Sequence, residues 1–75
     1  MLAAASIYVA DNMMMVANVN GDTKMDVLNV QGQLMNSFEF FSNGNHEVSV
    51  NLSTGIYMVR LLNGGETRTI KVFVK

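Results

Sequence analysis

Two apolar segments separated by Asn63-Gly64-Gly65 make up the C-terminal part of the sequence. Asparagine and glycine reach positive φ at little steric cost, which a tight hairpin turn requires. After the turn the side chains alternate, with Arg68, Ile70, Val72 and Val74 on one face and Thr67, Thr69, Lys71 and Phe73 on the other. A period of two is that of a β-strand. The sequence therefore predicts an antiparallel hairpin over residues 55–75, and we expect its final strand, which runs to Lys75, to be presented to the outside.

Upstream of this hairpin, short apolar segments recur about every eight to twelve residues, separated by turn residues, a spacing typical of an all-β sandwich or barrel. The methionine-rich segment could favour a helix on propensity. An Asn-Gly turn follows it within a few residues, so we interpret it as a strand. The chain is thus predicted to form about seven short strands in two antiparallel sheets packed face to face. The five upstream strands are predicted over Ser6–Ala10, Met13–Val19, Lys24–Val30, Gln33–Phe41 and His46–Leu52.

The 75-residue length corresponds to one small domain, which we place at residues 7–75, with residues 1–6 as a linker or N-terminal extension. Without cysteine the chain forms no disulfide, and a single histidine, His46, argues against a structural metal. The net charge of −1 includes no basic stripe, so nucleic acid is not an expected partner. The longest apolar run, Met13–Ala17, is too short to span a bilayer. We interpret the chain as the C-terminal part of a longer protein.

Catalytic residues are hard to find in this sequence. Nucleophilic catalysis requires a hydroxyl or thiol beside an oriented base, and we interpret His46 as a structural residue. We expect no enzyme activity and no cofactor. The carboxylates are predicted to lie on different turns or outward positions as solvated surface charges; they are Asp11, Asp22, Asp26, Glu39, Glu47 and Glu66.

Three other patterns carry weak functional alternatives. The side-chain oxygens of Asn18, Asn20 and Asp22 suggest a calcium-binding loop. Because no bidentate glutamate completes such a site, a turn is the better interpretation. Asn51-Leu52-Ser53 matches a glycosylation acceptor, a pattern that also arises by chance. The methionines suit either core filling or an adaptable interface. Three consecutive methionines, residues 13–15, cannot all face one side of a strand, so at least one is expected to be exposed.

The ordered motifs resemble a known family. A strand over Met25–Asn29 leads into a turn with Gly32, the segment Leu52–Arg60 contains Gly55-Ile56-Tyr57, and an apolar, lysine-bearing strand closes the chain. This order resembles the type A C-terminal sorting domain of the type IX secretion system of Bacteroidetes. The sequence departs from the family pattern twice, because Asn29 stands where the family usually has Asp and Gln33 where it usually has Arg or Lys. Asparagine can still form the turn that aspartate would.

The resemblance implies an immunoglobulin-like sandwich that serves as an export address for an N-terminal cargo domain. It implies recognition by the outer-membrane secretion machinery, passage through the periplasm, removal by a sortase, and attachment of the cargo to the cell surface or its release. A homodimer through edge strands is also possible. By resemblance, the recognition residues are Asn29, Gly32, Gly55, Tyr57, Ile70, Lys71, Val72, Phe73, Val74 and Lys75. The alternative is a passive adhesion or binding module for a carbohydrate, a peptide strand or a second copy of the chain.

Overall fold

The computed structural model describes residues 5–10 and 12–75, so most of the predicted linker and Asp11 of the first turn lie outside the described residues. The described residues form strands and turns, and they contain no helix long and apolar enough to cross a membrane. Seven strands follow in chain order: β1 (Ser6–Ala10), β2 (Met13–Val19), β3 (Thr23–Asn29), β4 (Leu34–Phe40), β5 (Gly44–Ser49), β6 (Gly55–Asn63) and β7 (Glu66–Val74).

These strands form two antiparallel sheets, which confirms the predicted all-β sandwich. The three-stranded sheet has the order β1-β2-β5 and the four-stranded sheet the order β4-β3-β6-β7. The predicted hairpin is present, with Gly64 and Gly65 as its two turn residues and Asn63 opposite Glu66. Gly64 has φ 58, the left-handed conformation that glycine adopts without steric cost. The final strand is therefore an edge of its sheet, paired only with β6 in the described part of the chain.

Predicted and observed strand ends differ where side chains or turns interrupt the ladder. Gln33 was predicted in a strand but belongs to the turn, because its main-chain N–H donates to the side chain of Asn29 and its carbonyl accepts from the Asn29 N–H. The strand predicted over His46–Leu52 is wrong at both ends, since β5 starts at Gly44 and stops at Ser49. Val50 leaves the ladder because its N–H donates to the Asn12 carbonyl at 2.7 Å.

The core lies between the inward faces of the two sheets, and the alternation predicted for the final strand is confirmed. Val74 is fully buried, and Ile70 and Val72 pack against the core. The methionines divide as strand geometry requires, with Met14 at 0% exposure and Met15 at 38%. Met25 fills the core completely. The expectation that at least one residue of the methionine run is exposed is thus confirmed.

Candidate functional site

Most of the predicted recognition residues converge on one end of the four-stranded sheet. Asn29 of β3 lies opposite Tyr57 of β6, which in turn lies opposite Val72 of β7. One step further along, Gly55 pairs with Val74. We call this region the Asn29 end, and it comprises the turn 29–33, residues 55–57 of β6 and residues 72–75. Ile70 lies apart from it, opposite Val59 in the middle of the sheet.

The turn at the Asn29 end is organised by one side chain. The Asn29 Oδ1 accepts hydrogen bonds from the main-chain N–H groups of Gln31 and Gln33, at 2.9 and 3.0 Å. Its Nδ2 donates to the Gln33 Oε1 at 2.8 Å. The Gly32 N–H donates to the Asn29 carbonyl at 3.0 Å, and Gly32 has φ 84. Asparagine therefore forms the predicted turn through neutral hydrogen bonds, with glycine at the position that needs a left-handed backbone.

Tyr57 stabilises the neighbouring loop. Its ring is 7% exposed and belongs to the core, while its hydroxyl donates to the Ser53 carbonyl at 2.8 Å. A main-chain acceptor four residues upstream thus satisfies the hydroxyl. A buried tyrosine hydroxyl usually finds such a partner. This bond connects the start of β6 to the loop that crosses from the three-stranded sheet.

The final strand separates its predicted recognition residues by face. Ile70, Val72 and Val74 face the core, where Val74 is fully buried and Ile70 and Val72 are partly buried. Lys71, Phe73 and Lys75 face outward, and the Phe73 ring is 56% exposed. The outward side chains are the more accessible set for direct contact with another molecule. The buried residues contribute by holding the strand against the core.

A charged cluster at the centre of the outer sheet face corrects the prediction for Asp26. This residue is 4% exposed rather than a solvated surface charge. Its carboxylate accepts hydrogen bonds from Arg60 at 3.0 Å and from the Ser37 hydroxyl at 2.8 Å, and Lys24 lies 3.9 Å away. Burial raises the pKa of Asp26, but these hydrogen bonds and the charges of Lys24 and Arg60 outweigh it and lower the pKa below its usual value of 3.8. Alternation places Asp26 outward, where Ser37 and Arg60 on the adjacent strands bond to its carboxylate.

At the opposite end of the sandwich, asparagine side chains bond to the main chain of neighbouring segments. The Gly21 N–H donates to Asn43 Oδ1 at 2.7 Å, and the Asn18 N–H donates to Asn45 Oδ1 at 3.0 Å. These bonds fit the turn interpretation of the Asn18–Asp22 segment. Within the described residues, no three His, Cys, Asp or Glu side chains are grouped to hold a metal ion.

His46 connects the two sheets at the β4–β5 crossing. Its ring stacks on Phe40 with 4.5 Å between centroids and 19° between planes. Its Nε2 lies 2.7 Å from the Ser42 carbonyl, which accepts the hydrogen bond. These contacts agree with the structural interpretation of this residue.

Two exposed apolar residues at the Asn29 end were missed at the sequence level. Ile56 is 46% exposed beside Phe73, its cross-strand neighbour on the outer face, and Val30 is 72% exposed at the turn. The sequence signal that could have predicted this exposed apolar surface is the segment Gly55–Val59, in which the residues of both strand faces are apolar. A strand with one solvated face would show a polar set.

Two comparisons with known proteins bear on this geometry. A family model described as a secretion system C-terminal sorting domain matches residues 7–75. No curated protein matches the chain.

Proposed function

We propose that this chain, which belongs to the family of secretion system C-terminal sorting domains and carries a type IX sorting signal, is recognised at its Asn29 end and along the adjoining final strand. A sorting domain of this kind implies a cargo on its N-terminal side and export to the outer membrane or beyond it. One observation supports this location. The motif residues are distant in sequence, but they lie on neighbouring strands at the same end of one sheet.

Recognition of an edge strand has a simple physical basis. Main-chain N–H and C=O groups at a sheet edge can pair with an extended segment of another protein, which gives affinity without a preformed cavity. The outward residues Lys71 and Phe73 then contribute selectivity. The buried residues Tyr57 and Val74 hold β6 and β7 against the core.

We further propose that the cargo is exposed to a sortase after it leaves the periplasm, that the domain is removed, and that the cargo is attached to the cell surface or released. The domain itself would have no catalytic role. A homodimer through edge strands is compatible with the open edge of β7, and light scattering across a range of protein concentrations would detect it.

The test is an export assay with a reporter fused in front of residues 1–75 in a bacterium with a functional type IX system. The proposal expects the reporter at the cell surface or in the medium, and in the periplasm of a strain that lacks the system. Deleting residues 70–75 would also remove the buried Val74, so outward point changes at Lys71 and Phe73 are more informative. Retention of the intact, folded fusion in the periplasm of the competent strain would contradict the proposal.

A further inference from the structure

The outer edge of β7 has main-chain groups available for pairing. The Gly64-Gly65 turn places Asn63 opposite Glu66 as the closing pair of the hairpin. Because hydrogen-bonded and non-hydrogen-bonded pairs alternate in an antiparallel ladder, every second residue of β7 directs its N–H and C=O away from β6. No other strand in residues 5–10 and 12–75 pairs with β7. The residues with edge-directed main-chain groups are Thr67, Thr69, Lys71 and Phe73.

Strand β1 lies beside this edge without pairing with it, and a pocket separates the two strands near the C-terminal end of β7. At the other end, Arg68 Nη1 donates to the Ala5 carbonyl at 2.8 Å and holds the two strands together. Near the end of β7 the strands enclose an open pocket of about 290 Å³ lined by Val9, Ala10, Phe73 and Lys75. An added strand would therefore reach a partly apolar pocket as well as main-chain partners.

The outward side chains of this segment form a short charge pattern. Lys71 and Lys75 flank Phe73 at alternate positions, so all three lie on the same face of the strand. Neither of these lysines takes part in the salt bridges that Asp26 forms with Lys24 and Arg60. A strand added at the edge would place its own side chains directly opposite these three residues.

Resting on the proposed function, we infer that this edge accepts one extended strand of the export machinery with the pattern acidic–apolar–apolar–apolar–acidic. The acidic residues would lie opposite Lys71 and Lys75, and the central apolar residue opposite Phe73. The two remaining residues would lie on the same face as Val72, which packs against the core. The pattern reads the same in both directions, so it serves a parallel or an antiparallel strand.

A second copy of this chain fits the edge less well. If two β7 edges pair antiparallel around Phe73, Lys71 of one copy lies opposite Lys75 of the other. Like charges at directly opposite positions destabilise a strand pair, and lysine on an edge strand is a common device against self-association. The same lysines that discourage self-pairing attract an acidic strand.

Peptide titration of the whole chain tests the inference. One synthetic peptide contains Glu-Val-Phe-Val-Glu between flexible polar flanks, and its control contains Lys-Val-Phe-Val-Lys. The matched protein variant is Lys71→Glu with Lys75→Glu. Amide NMR would follow chemical-shift changes and hydrogen-exchange protection at Thr69, Lys71 and Phe73. We expect the wild type to bind the glutamate peptide about tenfold more tightly than the lysine peptide, and the variant to reverse this preference.

Three results would overturn the inference: no shifts at millimolar peptide, equal binding of both peptides, or shifts confined to residues away from β7. A concentration-dependent dimer that protects the same amides without peptide would assign the edge to a second copy. The export assay separates this inference from the proposed function. If the wild-type fusion is exported and the folded Lys71→Glu, Lys75→Glu fusion is exported equally well, only the strand-docking inference fails. If the wild-type fusion is retained, the proposed function fails, whatever the peptides do.

Discussion

The side chains of Asn29 and Gln33 bond to each other, with Nδ2 donating to Oε1 at 2.8 Å. They stand at the two positions where the family pattern has an acidic and a basic residue. A neutral amide pair thus closes this turn, which also has main-chain bonds to Asn29 Oδ1.

The first prediction concerns this pair. Changing Asn29→Asp or Gln33→Lys alone leaves one uncompensated charge, whereas the double change restores opposite charges. We expect the two changes to couple favourably by about 0.2–1 kcal/mol, the range for exposed ion pairs, and the coupling to weaken in high salt. Urea unfolding of the four proteins provides the double-mutant cycle. Strictly additive effects at low salt would show that the side chains act independently.

A second prediction compares two glycines. At Gly32 the φ of 84 is a left-handed conformation, and no atom lies close to an added Cβ. Gly32→Ala should therefore cost about 1–2 kcal/mol through backbone strain alone. Gly65 is a matched control, because it also has open space but no positive φ. Gly65→Ala should change the free energy of unfolding by less than about 0.5 kcal/mol. Equal losses in the two variants would exclude strain at Gly32 as the cause.

The Asp26 carboxylate predicts a dependence of stability on pH. The pKa of Asp26 is lower in the folded protein than in the unfolded chain. Its contribution to the free energy of unfolding is therefore complete above pH 3.8 and is lost as the pH falls through the pKa of the folded protein. At neutral pH, Asp26→Asn should lower the free energy of unfolding by about 1–2 kcal/mol, because the carboxylate partner of the Arg60 cation is lost. The difference between wild type and variant should shrink between pH 5 and pH 2, measured by urea unfolding. A difference that stays constant over that range would contradict the assignment.

A variant of Tyr57 tests how much its hydroxyl group contributes to stability. Tyr57→Phe keeps the buried ring and removes the hydroxyl that donates to the Ser53 carbonyl. The expected loss is about 1 kcal/mol, together with faster amide exchange in residues 53–56. Tyr8→Phe is the control, since Tyr8 is 63% exposed and its change should be nearly neutral. Comparable losses for the two tyrosines would mean that the Ser53 bond does not stabilise the fold.

Adjacent methionines supply the last prediction. Met14→Ala removes a fully buried side chain and should cost about 2–5 kcal/mol. Met15→Ala removes a partly exposed one on the opposite face and should cost less than about 1 kcal/mol. Thermal and urea unfolding of both variants give the comparison. If Met15→Ala proved the more damaging change, the assignment of faces in β2 would be wrong.

Much of this fold was predictable because its signals are local. A turn such as Asn63-Gly64-Gly65 depends on the φ values its own residues can reach, and a strand face depends on a period of two. The inward set Ile70, Val72 and Val74 could therefore be read from the sequence, and so could the division of the methionine run. The turn at Asn29 was predictable for the same reason, since its bonds span four residues.

Three features depended on the tertiary structure, because they arise between segments distant in sequence. The charge of Asp26 is buried only because Arg60 and Ser37 arrive beside it on neighbouring strands. The Asn29 end exists only because β6 pairs with β3 on one side and β7 on the other. Likewise, alternation predicts that Lys71 and Phe73 face outward, but only the strand order makes their backbone an open edge. Local chemistry thus determined the elements and their faces, and long-range pairing decided which strands lie at the sheet edges, β7 among them.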